Sequence, residues 1–194
     1  MITTMLLAGR DDAGADTNPA ERSAGMSVDL VPDALRAAFG TFPSGVVAVC
    51  GTVDGAPAGI AASTFFPVSL DPPLVGLCIQ RTSRTWPLLR TAPALGLSVL
   101  SSDHQLAARQ LAARAGDRFA GLATTTDASG AIYIDTCPTW LSCTLEDETD
   151  GGDHVIALLR VRSVRCDPQV EPLVFHRSEF VRLSSGPRDH TLAP

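Results

Sequence analysis

The sequence predicts a mainly β domain with short helices, wound as a barrel rather than as alternating βαβ units. Short apolar runs rich in Val, Ile and Leu recur at close spacing and are bounded by Gly, Pro and Asp. Asp54-Gly55, a strong hairpin signal, separates two of the earliest runs. Helical patterns are few and short, and strands that follow one another in meander order close most simply into a barrel.

Residues 1–27 are rich in Ala, Gly, Asp, Asn and Ser without a hydrophobic period, and read as a disordered leader. Residues 184–194 read as a tail, which leaves 28–183 as the domain. Pro32-Asp33 opens a short helix through Phe39, with Leu35, Ala38 and Phe39 on one face and Gly40 as its stop. Val46 to Cys50 is the first strand, and Ala58 to Phe66 returns beside it, limited by Pro67. Asp71-Pro72-Pro73 turns into a third strand, Leu74 to Ile79. A helix starts near Ser83, with Ser83 or Thr85 as its cap and Pro87 in the first turn. Ala94 to Leu100 is a strand. Asp103 caps a helix that runs to about Arg114, with Leu106 and Gln110 or Leu111 at helical spacing. Strands dominate from Ala131 to Val164, around the turn Asp150-Gly151-Gly152-Asp153, and a short pair, 173–175 and 179–183, closes the domain.

Composition narrows the chemistry. The chain has 194 residues, one domain of ordinary size, and at that length roughly 70% of the unfolded surface is buried without staples. Its 15 basic residues are all arginine, against 21 acidic ones, for a formal charge of −6. Without lysine, Walker-type phosphate loops and Schiff-base chemistry are excluded. The acidic balance argues against nucleic acid as a partner. No apolar run approaches the ~20 residues that span a bilayer, so no membrane partner is expected. The start MITTMLLAGRDD lacks a basic n-region and a small-residue cleavage site, which makes the cytoplasm the expected location. The 5 cysteines are odd in number and never spaced C-x-x-C, as suits free thiols in a reducing compartment. Cys137 and Cys143 have no histidine nearby at ligand spacing, and no metal site is expected.

Three segments carry candidate chemistry. Gly59-Ile60-Ala61-Ala62-Ser63-Thr64 places small residues along a strand, with Ala61, Ser63 and Phe65 alternating onto one face. Such a face lets a flat ring lie against the backbone; the same residues also suit plain packing against a helix. Gln80-Arg81-Thr82-Ser83-Arg84-Thr85 joins a strand end to a helix start. Its hydroxyls, amides and arginines make either an anion pocket or a capped helix with solvated cations. In Gly152-Asp153-His154 a glycine turn enters a strand, and the histidine there faces a pocket or merely ends a hairpin.

In this order and spacing, the segments resemble the flavin reductase-like family of FMN-binding split barrels, the small reductase partners of two-component flavin monooxygenases. The matching pieces are Phe42-Pro43-Ser44-Gly45-Val46-Val47, Gly59 to Phe65, Val68 to Val75, Cys78 to Ser83, Asp117-Arg118-Phe119, Gly152-Asp153-His154 and Pro172 to Arg177. The resemblance implies a homodimeric split β-barrel that passes hydride from NADH or NADPH to FMN, or FAD, for a separate monooxygenase. By position it puts Ser44 and Gly45 near the ring system, with Ala61, Ala62, Ser63, Thr64 and Phe65 along the isoalloxazine. Gln80 and Ser83 then hold the ribityl-phosphate end, with Arg84 and Thr85 close by. Asp153 and His154 stand where the nicotinamide stacks, His154 as the candidate catalytic residue, and Phe175 lies near flavin or nucleotide. The chain departs from the pattern with Ala61 where many relatives carry Thr, and with Phe175 and Phe180 in place of tyrosines. No strong acid, base or nucleophile is needed, because the cofactor carries the chemistry. Two other readings fit the segments: a non-catalytic flavin- or haem-binding split barrel, and a flavin enzyme acting on its own organic substrate.

Overall fold

The computed structural model describes residues 30–183. The expected leader and tail, 1–27 and 184–194, lie outside the described residues.

The chain opens with helix α1, Pro32–Gly40, at the expected place. The strands that follow are β1 (Ser44–Gly45), β2 (Val47–Val53), β3 (Ala56–Ala62), β4 (Phe66–Leu70) and β5 (Pro73–Gln80). After the single turn α2 (Trp86–Leu89) come β6 (Leu95–Val99) and helix α3 (Gln105–Ala112). The remaining strands are β7 (Thr124–Thr126), β8 (Ile132–Ile134), the long pair β9 (Thr139–Gly151) and β10 (His154–Cys166), and β11 (Val174–His176) with β12 (Glu179–Val181). Seven strands pair antiparallel in the order β3-β2-β6-β9-β10-β5-β4; β1-β11-β12 and β7-β8 form two smaller sheets. The architecture is the mainly β split barrel that the sequence predicts.

Asp54 and Gly55 both take positive φ, 50° and 78°, as the primed turn between twisted strands requires. The run 46–50 shows no alternation because both faces of β2 are covered. Val47 and Val49 point into a barrel core with Leu77, Leu97 and Leu159. Ala48 and Cys50 point the other way, into a second core with Ala61, Leu111, Ile134, Leu173 and Phe175. Cys137 and Cys143 fall in different cores, one in each. All five cysteines are free thiols, as expected. Burial pushes Cys50, Cys137 and Cys143 up to about 12, which keeps them protonated and inert.

Expectations are corrected at the end of β3 and at the start of α3. The strand predicted over 58–66 stops at Ala62, and the chain crosses from one edge of the seven-stranded sheet to the other before β4 begins. Ser63 to Phe65 therefore leave the alternation of β3, so Ser63 and Phe65 do not share a strand face with Ala61. Asp103 does not cap α3; it pairs with Arg182, and His104 occupies the cap position. Leu106 is 79% exposed, because α3 is rotated to bury Ala107, Ala108, Leu111 and Ala112. No residue of α1 is fully buried among the described residues, and of its apolar face Leu35 alone is partly covered. The strands β1 and β7 were not legible as apolar runs, one being two residues long and the other three threonines.

Candidate active site

The crossing from β3 to β4 builds the site. β3 is the edge strand of its sheet, so every second residue turns its backbone N–H and C=O away from β2. Gly59 is one such residue, and its carbonyl accepts a hydrogen bond from Arg118 Nη1 at 3.0 Å. By the two-residue period, Ala61 presents its N–H and C=O on the same open side. Just beyond, the Thr64 hydroxyl donates to Cys78 O at 2.7 Å and accepts from Cys78 N–H at 3.1 Å. A side chain thus takes the backbone partners that a continuous strand would supply, and it closes the barrel between β3 and β5.

Two clefts meet at Thr64. The first, of ≈ 400 Å³, is floored by Ala61, Ala62, Cys78 and Gln80 and walled by Ser83, Arg84, Arg114 and Arg118. Among the described residues no carboxylate lines it. Arg84 and Arg114 are exposed and form no ion pair among the described residues. Burial lowers the Arg118 guanidinium from its ordinary value. The second cleft, of ≈ 500 Å³, is lined by Ser44, Gly45, Ser63, Phe65, Phe66 and Phe175, with Phe39 and Phe42 at its mouth. Phenylalanines dominate it, with Arg177 as its one cation, whereas the first carries three arginines and no phenylalanine.

The local sequence explains these positions. Gly59 lacks a Cβ, which would come within 2.7 Å of both Cys50 Sγ and the Phe119 ring. That absence lets Phe119 lie on β3, and it delivers the preceding residue, Arg118, to the cleft. Ser83 Oγ accepts the N–H of Trp86 at 3.1 Å, one of the two caps expected for α2. Thr85, the other, occupies the N-cap position of α2, but its hydroxyl accepts from Arg118 Nη1 at 2.6 Å rather than bonding the helix.

Ser44, Gly45, Ala61, Ala62, Ser63, Thr64, Phe65, Gln80, Ser83, Arg84 and Phe175 all line one cleft or the other. Ala61 packs in the outer core with Leu111 and Ala112 as well, so the ring-facing and helix-packing readings of that strand both hold a part of it. Thr85, Asp153 and His154 lie outside the two linings. His154 sits opposite Gln80 in the β5–β10 ladder, and so projects from the same sheet face. Its Nδ1–H donates to Asp153 Oδ1 at 2.7 Å, and the imidazole beside Asp153 holds that carboxyl below the usual range. Its Nε2 is buried without a hydrogen-bond partner among the described residues. Arg114, Arg118, Phe39, Phe42 and Phe66 were missed as site residues. The Asp117-Arg118-Phe119 piece of the family pattern was the signal for Arg118; nothing local marks Arg114.

A phenylalanine-rich slot that shares Thr64 with a cationic, hydroxyl-rich cleft on a split barrel suits a flat ring that carries an anionic tail. This defines a nucleotide-cofactor barrel. The chain belongs to the flavin reductase-like family: the family model described as "Flavin reductase like domain" matches residues 39–184. It is similar to the reductase subunit HsaB of a flavin-dependent monooxygenase from Rhodococcus jostii, 33% identical over 77% of this chain and 76% of that one. A flavin reductase of Pseudomonas putida is 32% identical over 77% and 88%. Among solved structures, the NADH:FAD oxidoreductase SgcE6 of Streptomyces globisporus, in complex with NAD and FAD fragments, superposes with a TM-score of 0.78. It is 32% identical and the match covers 84% of this chain and 99% of that one. The chain is an oxidoreductase of the flavin reductase class, working with flavin and pyridine nucleotide.

Proposed function

We propose that this chain binds FMN or FAD across the two clefts, with NADH or NADPH as hydride donor, and hands the reduced flavin to a separate monooxygenase. The observation that carries the reading is the junction at Thr64, which lines both a cleft with three arginines and, among the described residues, no carboxylate, and a slot rich in phenylalanines. Phosphate, polyol and ring each meet matching chemistry along that path.

A flavin held there by the arginines, Ser83 and the Ala61 backbone would supply the redox chemistry as hydride acceptor. The protein's part is to hold two flat rings at near-attack separation, roughly 3–3.5 Å. The open backbone edge at Ala61 offers a fixed donor and acceptor to the ring margin, where preorganised dipoles are most effective. Phe65, Phe66 and Phe175 flank the slot and exclude water from it. The arginines balance the phosphate charge. His154 has its Nδ1 proton committed to Asp153, which leaves Nε2 as a buried acceptor in the neutral ring. His154 shares a sheet face with Gln80, which lines the first cleft, and from there it helps to orient the donor nucleotide. A homodimer fits the same reading, since the uncovered apolar residues of α1 adjoin the aromatic slot.

Loss of absorbance at 340 nm on mixing the protein with NADH and FMN, with oxygen consumed as flavin recycles, is the expected result. Absence of nucleotide oxidation with either flavin and either nucleotide overturns the reading and favours a carrier. A His154→Ala variant is expected to raise the KM for nucleotide about tenfold, the scale of one lost hydrogen bond. Unchanged steady-state kinetics would remove that role from His154.

A further inference from the structure

We infer that Arg118 is the phosphate anchor of the flavin site, held in place by Gly59 and Thr85 before ligand arrives; the inference rests on the flavin reading above. Arg118 differs from Arg84 and Arg114. Those two are exposed, and water solvates their charge. Arg118 is partly buried, and no carboxylate approaches it among the described residues. A cation withdrawn from water without a counter-ion is costly, and native structures supply one. At Arg118 the open direction is the cleft.

Its fork is also pre-set. Nη1 serves both partners, the Gly59 carbonyl at 3.0 Å and the Thr85 hydroxyl at 2.6 Å. These partners come from β3 and from the bend before α2, so the guanidinium ties the two walls of the cleft together. Nη2 and Nε make no hydrogen bond with the described residues, which leaves planar donors for an oxyanion. A planar pair of N–H groups matches two phosphate oxygens in a way an ammonium cannot. Because the side chain is already immobilised, little rotamer freedom is lost on binding.

Riboflavin carries the ring and the polyol but no phosphate, so it isolates this contact. Equilibrium binding of FMN, FAD and riboflavin is measured by fluorescence titration with the full chain and with Arg118→Gln and Arg118→Lys variants. The preference of the wild-type protein for FMN over riboflavin is expected to shrink about tenfold or more in Arg118→Gln. Arg118→Lys, which keeps charge and stem but loses the fork, is expected to fall between the two. Inorganic phosphate should compete with FMN for the wild-type protein and leave riboflavin undisturbed. A merely structural arginine would weaken FMN and riboflavin equally, and that outcome overturns the inference, as does phosphate that competes with neither. If Arg118→Gln does not fold, the lysine variant and the phosphate competition decide. A wild-type protein that binds no flavin at all refutes the flavin reading instead, so the two failures are distinguishable.

Discussion

Thr64 shows how much one hydroxyl does in this chain. Its two bonds to the Cys78 backbone stand in for a missing stretch of ladder at the place where both clefts begin. Thr64→Val keeps the shape and strands the Cys78 N–H and C=O, at a cost of about 1–3 kcal/mol. The urea midpoint should fall accordingly, and flavin affinity with it, because the cleft floor loosens. The sequence places Thr64 in the site but not in this role. A threonine beside a run of small residues reads as a ligand contact, and its bonding to a backbone 14 residues away is not a local signal. His154 is the converse case. Its motif pointed to the site, yet only the fold reveals that Nδ1 is engaged and Nε2 is not.

At the scale of elements, the turn chemistry was the most legible part. Asp54-Gly55, the start of α1 at Pro32 and the glycine turn before β10 all stand where their residues dictate. The hairpin β7–β8 was not, since Thr124–Thr126 carries no apolar face. Asp127 organises it. One carboxylate accepts the Ser129 and Ala131 amides, the Ser129 hydroxyl and the Tyr133 hydroxyl. Partial burial works to raise its pKa, and these hydrogen bonds outweigh burial and hold the carboxyl below its usual range. A carboxyl depressed in the folded state contributes stability that is present above the unfolded value, about 3.9, and lost as pH falls through the folded one. Thermal melts taken from neutral pH downwards should therefore lose stability below about pH 4, less steeply in Asp127→Asn than in the wild type. Equal slopes would mean that Asp127 contributes nothing to the acid transition.

For the whole molecule, the unburied side of α1 matters most. Phe39 and Phe42 are 56% and 76% exposed, Phe66 is 38% exposed, and all three line the aromatic slot. Contiguous apolar surface of this kind marks an interface. A second copy of the chain, seated over α1 and the slot mouth, is the occupant we propose. The protein is expected to sediment at twice the chain mass, and Phe42→Asp to sediment as a monomer with weakened flavin binding. Sedimentation of the wild type as a monomer at micromolar concentration would refute it. Leu106 is exposed to a similar degree, at 79%, but it belongs to a different face and lines neither cleft.

Local order settled what local chemistry can reach: the β character, the hairpin, the small-residue strand before Thr64, the hydroxyl-rich bend at 80–85, and the family pattern. Each depends on neighbours a few residues apart, whose periodicity and turn preferences are written along the chain. The fold alone decided that β3 ends at Ala62, that α1 turns its apolar face outward, and that Arg118 enters the cleft. Arg118 bonds to residues 59 and 33 positions away, and such meetings are products of packing, for which no stretch of sequence holds a local signal.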